Sequence, residues 1–450
     1  TIFNAHEIRA GQSVYQIVRQ PKFQTKNPLA SSRRGDVMLL INGMPIIHIE
    51  LKRSGVDVTQ AVNQIKKYAH EGVFSRGIFS LVQIFVAMTP EKTLYFANPG
   101  ESKNFSPSFY FHWADFNNEE VRDWKRIGAN LLSIPMAHQM VGYYTIADDK
   151  DETLKVLRSY QYFATTKIWE RVRETNWDDH MHKGGYIWHT TGSGKTMTSF
   201  KSAQLIAKAN DADKVVFLLD RIELSTQSAD EYRGFANADD NVLDTEDTRN
   251  LIRVLESDEK DECLIVTSIQ KMSRINAASN IPQSTINKIN KKRVVFIVDE
   301  CHRSVTGSGK DSGSGMLLTI KNTFPRAILF GFTGTPIFEQ NARGEITTGV
   351  IFGDELHKYT LAHGIPDGNV LGFDPYREDT FQEHDIREAV ALRAVDAESF
   401  EEIENDKEKV EIYNKIMTET DMLKIEDEAK SLYQSESHHV AVMNKIVEER

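Results

Sequence analysis

The feature that most constrains this chain of 450 residues is a glycine-rich loop between a short apolar run and a helical segment. The apolar run at 185–189 predicts a buried strand. After such a strand, glycines let backbone N–H groups approach phosphate oxygens, a lysine reaches the β- and γ-phosphates, and a threonine hydroxyl holds Mg²⁺. We therefore predict an ATP site whose loop residues are Thr190, Thr191, Gly192, Ser193, Gly194, Lys195 and Thr196.

Four more apolar runs alternate with helical segments, and they lie at 215–219, 264–267, 294–298 and 327–332. Strands that are apolar throughout and separated by helices indicate a parallel sheet covered by helices on both faces. The run at 294–298 is followed by Asp-Glu-Cys-His, a DEAD-box-like motif. Its Asp299 is expected to hold Mg²⁺ through water, Glu300 to orient and activate the attacking water, and His302 to couple the site to a neighbouring domain.

Polar residues follow three of the predicted strands. They are Arg221 after the predicted strand at 215–219, Thr267, Gln270 and Lys271 at and after the end of the one at 264–267, and Thr333, Gly334 and Thr335 after the one at 327–332. Hydroxyls, amides and cationic side chains there suit contacts with DNA phosphates, which carry no sequence information. In order and spacing these segments resemble motifs Ia, Ib and III of superfamily 2 helicases and translocases. The segment at 158–161 is similar to the one that reads adenine in that superfamily, which implies base binding by Gln161; a helix-surface amide is the alternative interpretation.

The first hundred residues contain a predicted β-hairpin. Apolar runs at 37–41 and 46–51 flank an Asn-Gly pair, which is a strong hairpin signal. A helix at 58–68 and strands at 81–88 and 93–97 are predicted to follow. This first unit is therefore expected to be α/β or α+β.

Charged and polar residues form an ordered set along this hairpin and helix, and they are Asp36, Glu50, Lys52, Gln64 and Tyr68. The carboxylates of Asp36 and Glu50 can bind Mg²⁺, with the carbonyl of Leu51 as a further ligand. Lys52 shares a strand face with Glu50, so its ammonium can position hydroxide or offset charge at a scissile phosphate. A surface salt-bridge strand is the alternative interpretation, because alternating charges are common on edge strands.

The register of the hairpin tests the metal-site hypothesis. A plain two-residue turn would pair Asp36 with Ile49 and place Asp36 and Glu50 on opposite faces, where they cannot share a metal. We therefore predict a three-residue loop or a bulge, either of which brings Asp36 opposite Glu50. The set resembles the PD-(D/E)xK nucleases of the RecB-like branch, whose helix carries Gln-x-x-x-Tyr. That resemblance implies a further upstream glutamate, for which Glu7 is the candidate.

A PD-(D/E)xK unit followed by a RecA-like superfamily 2 motor, both α/β, is similar to the R subunit of type I restriction enzymes over nearly the whole chain. His189 and Cys301 are themselves family-like variants. The resemblance implies docking on methyltransferase (M) and specificity (S) subunits, translocation of double-stranded DNA with ATP and Mg²⁺, and cleavage far from the recognition site. The alternatives are a helicase-nuclease of DNA repair, a type III restriction subunit, which carries its nuclease after the motor, and a non-enzymatic DNA-binding scaffold.

Composition narrows the setting of the protein. The net charge of −11 argues against wholesale coating by nucleic acid, although steering depends on local patches. No apolar run approaches the roughly 18 residues that cross a bilayer, so we expect no membrane contact. Only two cysteines are present, which favours a reducing cytoplasm over a disulfide framework.

Three regions are expected along the chain. They are a nuclease domain at 1–147, a first RecA-like domain at 148–352, and a linker with an incomplete second RecA-like domain at 353–450. After residue 352 the sequence predicts a loop-like stretch and then acidic helices at 408–417 and 421–433. Because no paired-arginine motif of a second lobe is found before Arg450, the chain is expected to stop inside that lobe.

Overall fold

The structure is a computed structural model. Its internal contacts divide the chain into two compact units, Thr1–Gly372 and Phe373–Arg450. No helix in the described part of the chain is long and apolar enough to cross a membrane. The residues that the structure describes are 13–23, 32–148, 152–178, 184–219, 235, 242–244, 248–259, 262–275, 282–302, 313–341, 347–370 and 383–418.

The first part of the larger unit is built on a five-stranded sheet. Its strands and α-helices are β1 (Tyr15–Arg19), β2 (Lys22–Phe23), β3 (Arg33–Arg34), β4 (Val37–Ile41), β5 (Met44–Leu51), α1 (Thr59–His70), β6 (Ile84–Met88), β7 (Thr93–Ala97), α2 (Trp124–Ala129), α3 (Ile134–Gly142), β8 (Thr145–Asp148) and β9 (Thr153–Val156). The sheet has the order β1-β4-β5-β6-β7, and β2-β3 and β8-β9 form separate pairs. Strands β5 and β6 are parallel and joined through α1, whereas the other neighbours are antiparallel.

The hairpin β4-β5 contains the bulge that the sequence required. Its turn has two residues, Asn42 and Gly43, both in the left-handed region at φ 52° and 80°, which matches the twist of the strands. The register shifts once between Leu39 and Leu40, leaving one extra residue in β5, and Val37 then faces Ile49. The prediction of a bulge is confirmed. Because Val37 faces Ile49, the preceding residue, Asp36, comes opposite Glu50.

A second, seven-stranded parallel sheet forms the rest of the larger unit. Its elements and flanking helices are α4 (Ser159–Glu174), β10 (Gly185–His189), α5 (Lys195–Lys208), β11 (Lys214–Leu219), β12 (Val242–Asp244), α6 (Thr248–Glu256), β13 (Leu264–Ser268), α7 (Ile269–Ser273), α8 (Gln283–Ile289), β14 (Val294–Val298), α9 (Gly313–Thr323), β15 (Ile328–Thr333), α10 (Thr348–Phe352), β16 (Glu355–Tyr359) and α11 (Leu361–Gly364). The strand order is β12-β13-β11-β14-β15-β10-β16.

The central strands of the seven-stranded sheet are buried on both faces, which explains their long apolar runs. In β11, Val215 and Phe217 lie in one apolar core with Phe200 of α5, whereas Val216 and Leu218 lie in the other with α9. The expected parallel sheet with helices on both faces is confirmed.

The strand β16 corrects the expectation of a loop after residue 352. It pairs in parallel with β10, with His357 next to Ile187 and Tyr359 next to His189. Because β16 is an edge strand of the same sheet, the fold continues past the boundary that we placed at residue 352. Its mixture of charged and apolar residues gives a weaker signal than an apolar run.

The smaller unit is described over two helices, α12 (Glu383–Ala394) and α13 (Lys407–Thr418). They pack through a small core that includes Ala391, Val395 and Tyr413. The predicted helix at 408–417 is confirmed, and the one predicted at 421–433 lies outside the described residues.

Candidate ATP site and nuclease hairpin

The glycine-rich loop connects the end of β10 to the start of α5. Gly192 and Gly194 have φ values of 81° and 75°, in the region that side chains with a Cβ disfavour. The Ser193 hydroxyl donates to the carbonyl of Thr190 at 2.6 Å, which closes the loop on itself. The loop is therefore shaped by its own residues, with Lys195 as the first residue of the helix.

Gln161 on α4 supports the loop from behind. Its Nε2 donates to the carbonyls of Ser193 at 3.0 Å and Gly194 at 3.3 Å, while its Oε1 accepts from the N–H of Arg158. The Tyr160 hydroxyl also donates to Ser193. Gln161 is 1% exposed, so the interpretation as a helix-surface amide is wrong. It lines, with Thr196, a cavity of about 480 Å³ beside the loop.

The ends of β14, β15 and β10 are neighbours in the sheet and bring the acidic motif onto the loop. Lys195 Nζ lies 3.0 Å from Glu300 Oε1. The other oxygen of Glu300 lies 3.4 Å from His302 Nδ1, which is 3.1 Å from the Thr333 hydroxyl. Ligands of open α/β sheets bind at the carboxyl ends of strands, and four of the predicted residues are connected there.

Glu300 has a backbone strain that fits this placement. Its φ is 43°, unusual for a residue with a side chain, and its N–H donates to Asp299 Oδ1 at 3.0 Å. Strained backbone persists where surrounding contacts hold it, and it clusters at functional sites. The turn follows β14 directly and brings the Glu300 carboxylate to Lys195 of the loop.

The segment after β15 packs directly against the glycine-rich loop. The Trp188 indole donates to the carbonyl of Gly334 at 3.1 Å. A Cβ at Gly334 would lie 3.3 Å from the Thr191 nitrogen. The N–H of Thr335 donates to the Thr333 hydroxyl. Gly334 therefore lies against the ATP loop, with Thr333 and Thr335 beside it in the chain.

The residues chosen for DNA contacts after β13 divide into two kinds. Thr267 is fully buried, so its hydroxyl is not available to a phosphate in this structure, which corrects our expectation. Gln270 and Lys271 on α7 are half-buried. Arg221, expected after β11, lies outside the described residues.

A buried pair of histidines links the ATP loop to the first part of the unit. His189 Nε2 lies 3.0 Å from His357 Nδ1, and His357 Nε2 lies 3.2 Å from the carbonyl of Phe116. Burial lowers the pKa of His357 to about 4, and burial with the nearby His357 lowers the pKa of His189. Both rings are therefore neutral at pH 7. The pairing was not predicted, because β16 was not.

At the hairpin, the two predicted carboxylates lie beside the end of β5. Asp36 Oδ2 accepts from the N–H of Leu51 at 2.8 Å. Glu50 is fully buried and its Oε1 lies 3.3 Å from Lys52 Nζ. The structure thus brings together the predicted Asp36, Glu50 and Lys52.

Lys52 is held by three acceptors, one for each ammonium N–H. They are Glu50 Oε1, the carbonyl of Leu51 at 3.2 Å and Gln64 Oε1 at 2.6 Å. Gln64 Nε2 donates to the Tyr68 hydroxyl, which donates to the carbonyl of Arg34. Burial raises the pKa of Tyr68. The helix residues therefore fix the ammonium, and Glu7 lies outside the described residues.

The residues at the hairpin fit a magnesium ion. Glu50 Oε2 is buried without a hydrogen-bond partner among the described residues. No group of three or more histidine, cysteine or acidic side chains there could hold a metal alone. Mg²⁺ is commonly held by one or two carboxylates, with water and phosphate oxygens as its other ligands. Asp36 and Glu50 supply that number.

Comparison with known proteins gives the family of each part of the chain. The chain matches the model of the SWI2/SNF2 ATPase family over residues 160–412, and that of the type I restriction enzyme R protein N terminus over residues 6–104. Among solved structures it resembles a nuclease-deletion mutant of the Type ISP restriction-modification enzyme LlaGI in complex with a DNA substrate mimic. The TM-score is 0.35 at 16% identity over 58% of this chain and 24% of that one, too distant to carry an argument.

Two relatives are closer in sequence. The chain is 37% identical over 390 residues to the Type I restriction enzyme SauCOLORF180P endonuclease subunit of Staphylococcus aureus (strain COL), covering 86% of this chain and 39% of that protein. It is 32% identical over 158 residues to the Type I restriction enzyme EcoprrI endonuclease subunit of Escherichia coli, covering 35% of this chain and 50% of that protein. It thus spans well under half of the Staphylococcus protein. The chain belongs to the family of type I restriction enzyme endonuclease (R) subunits, with an R-protein N-terminal domain followed by a SWI2/SNF2 ATPase domain.

Proposed function

We propose that this chain supplies the motor and nuclease of a type I restriction enzyme. It hydrolyses ATP at the Lys195 loop, translocates double-stranded DNA, and cleaves phosphodiester bonds at the hairpin far from the recognition site. Methyltransferase (M) and specificity (S) subunits supply recognition, and the reducing cytoplasm is the setting. The domain assignment is a nuclease at 1–147 and a RecA-like domain from 148, which β16 extends beyond 352.

One observation carries the nuclease half of this proposal: the bulge in β4-β5 that brings Asp36 to the side of Glu50. A plain turn would separate the two carboxylates by the thickness of the sheet. Asp36 and Glu50 would hold Mg²⁺, which supplies charge neutralisation at the scissile phosphate and acidifies water. Lys52, fixed by Gln64, then places a positive charge beside those carboxylates.

At the motor, Lys195 changes partners when the triphosphate arrives. In this structure its ammonium pairs with Glu300. Phosphate oxygens at the loop compete for that ammonium, so Glu300 is released to orient water, while His302 keeps it next to Thr333 and the following segment. Thr196 and Asp299 are the residues that would hold the nucleotide's Mg²⁺. Gln161 supports the loop and borders the cavity, where it can also meet the base.

The test is Lys195→Ala in the full-length protein assembled with its partner subunits. Removing one charged donor from a phosphate site costs on the order of 10² to 10³ in rate. We expect ATP hydrolysis, translocation and DNA cleavage to fall together. Lys208→Ala, at the exposed end of the same helix, is the matched control and should leave all three unchanged. Normal DNA cleavage by Lys195→Ala would contradict the proposal that cleavage depends on ATP hydrolysis at this loop.

A further inference from the structure

His48 is a buried polar residue next to the nuclease carboxylates, with no role in the function proposed so far. It lies on β5 two residues before Glu50, so both side chains point to the same face of the sheet. Both are 0% exposed, and His48 Nε2 lies 3.3 Å from Glu50 Oε2. This is the carboxylate oxygen that faces away from Lys52, which contacts Oε1.

The His48 ring also supports the backbone that leads to Asp36. A Cβ on Gly35 would lie 2.6 Å from His48 Cε1 and 2.8 Å from the Phe23 ring, so the chain passes close over the imidazole. Phe74 and Tyr68 lie around the same ring, with centroids 5.4 and 6.2 Å away. One side chain therefore contacts both the turn before Asp36 and the carboxylate of Glu50.

An apolar side chain would fill this position at a lower cost. Neither ring nitrogen of His48 forms a hydrogen bond of standard geometry with the described residues, although Nε2 approaches Glu50 Oε2 to 3.3 Å. Burying polar atoms without hydrogen-bond partners is unfavourable. In the same contact, the His48 ring presents a polar nitrogen to a carboxylate oxygen that also lacks such a partner. The contact between Nε2 and Glu50 Oε2 accounts for a histidine, rather than an apolar residue, at this buried position.

Resting on the proposed nuclease function, we propose that His48 is a positioning residue for the divalent metal. Its Nε2 holds Glu50 Oε2 in place, so that the carboxylate keeps one orientation toward Asp36 and Lys52. Residues that orient a metal ligand contribute roughly 10- to 100-fold to metal affinity. His48 acts through Glu50 and does not itself bind the metal.

The test is Mn²⁺ binding to the purified full-length protein without nucleotide, measured by calorimetry. Asp36→Ala identifies the part of the binding that belongs to the hairpin. His48→Leu is expected to weaken that part on the order of 10- to 100-fold. His48→Gln, which keeps an N–H near the position of Nε2, is expected to retain most of it. Phe74→Leu changes the same aromatic core without touching Glu50 and should have no effect.

The outcomes separate the two proposals. Equal affinity in His48→Leu and the original protein overturns the positioning role, as does equal weakening in His48→Leu and Phe74→Leu, which would indicate packing alone. If His48→Leu does not fold, His48→Met replaces it, and the contrast with His48→Gln decides. If no Asp36-dependent binding exists in the original protein, the nuclease proposal itself fails, and this inference fails with it.

Discussion

At the scale of single residues, the contact between Lys195 and Glu300 shows how a nucleotide site holds its charges before the substrate arrives. The lysine is 6% exposed on its side chain, and the glutamate lies on a strained backbone. A buried cation without a partner is costly, so Glu300 stabilises the loop in the form seen here. The same residue is the one proposed to orient water, so binding of the triphosphate and freeing of this carboxylate become one event.

Gly194 gives a direct test of the loop. Its φ of 75° disfavours any side chain, and an added Cβ would lie 2.7 Å from Gln161 Nε2. We expect Gly194→Ala to lose ATP affinity, measured with a fluorescent nucleotide. Gly55→Ala is the matched control, because Gly55 has φ 79° with nothing within 4 Å. Both variants bear backbone strain of about 1–2 kcal/mol, so equal ATP affinity in the two would contradict the support by Gln161.

The sequence was informative about residues whose chemistry is set by local spacing. Lys195 and Glu300 follow predicted strands directly, so their positions at one sheet edge could be inferred. The burial of Thr267 and the contact between Gln161 and the loop depend on which strand and helix lie alongside, and that is decided by contacts distant in sequence. His48 was missed because one histidine in an apolar strand gives no signal until the strand is seen next to the turn before Asp36.

At the scale of elements, the register of the hairpin could be predicted from the hypothesis that its two carboxylates share a metal ion. Two carboxylates that share a metal need one sheet face, and the spacing between Asp36 and Glu50 does not allow this with a plain Asn-Gly turn. The bulge supplies the missing residue. By contrast, β16 could not be recognised, because it is short, mixes charged and apolar residues, and follows a helix end at Gly353. Edge strands give weaker sequence signals than central parallel strands.

The place of β16 in the motor sheet can be tested by hydrogen exchange. The N–H of Thr190 donates to the carbonyl of Tyr359, and that of Tyr186 to Asp354. We expect the N–H groups of 355–359 that face β10 to exchange slowly, in step with those of 185–189, because protected backbone groups open together in cooperative units. Fast exchange at 355–359 beside slow exchange at 185–189 would show that β16 does not belong to this sheet.

At the scale of the whole larger unit, the part built on the five-stranded sheet and the part built on the seven-stranded sheet meet beside the ATP loop. His112 lies 3.3 Å from Asp367, whose other oxygen accepts from the Tyr359 hydroxyl at 2.6 Å. The Tyr359 ring stacks on Tyr160 with centroids 3.7 Å apart, and Tyr160 donates to Ser193 of the loop. The side chains form a continuous path of contacts from His112 to Ser193 of the phosphate loop.

The histidine pair beside this path predicts a dependence of stability on pH. His357 has a pKa of about 4 in the folded chain, against about 6.5 when exposed. The unfolded chain therefore binds the proton first, so stability is constant above pH 6.5 and falls between pH 6.5 and 4, by about 3 kcal/mol over the whole window. We expect the thermal midpoint of unfolding to decrease when the pH is lowered from 7.5 to 5.5.

His357→Gln serves as the control for this pH effect. It removes the titrating group and keeps a side-chain N–H for the Phe116 carbonyl. The drop in thermal midpoint between pH 7.5 and 5.5 should be smaller in this variant than in the original protein. An equal drop in the two proteins would assign the pH dependence to other groups.

The measurement that tests the central claim most directly is a paired assay of ATP hydrolysis and DNA cleavage on Asp36→Ala. The full-length protein is assembled with its methyltransferase and specificity subunits and given circular double-stranded DNA. Asp36 contacts the hairpin and not the ATP loop, so hydrolysis should continue at its normal rate while cleavage is lost. Glu101→Ala, which removes an exposed carboxylate paired with Lys103, should behave as the original protein. Cleavage that persists in Asp36→Ala, or hydrolysis that disappears with it, would contradict a nuclease and a motor housed at separate sites of one chain.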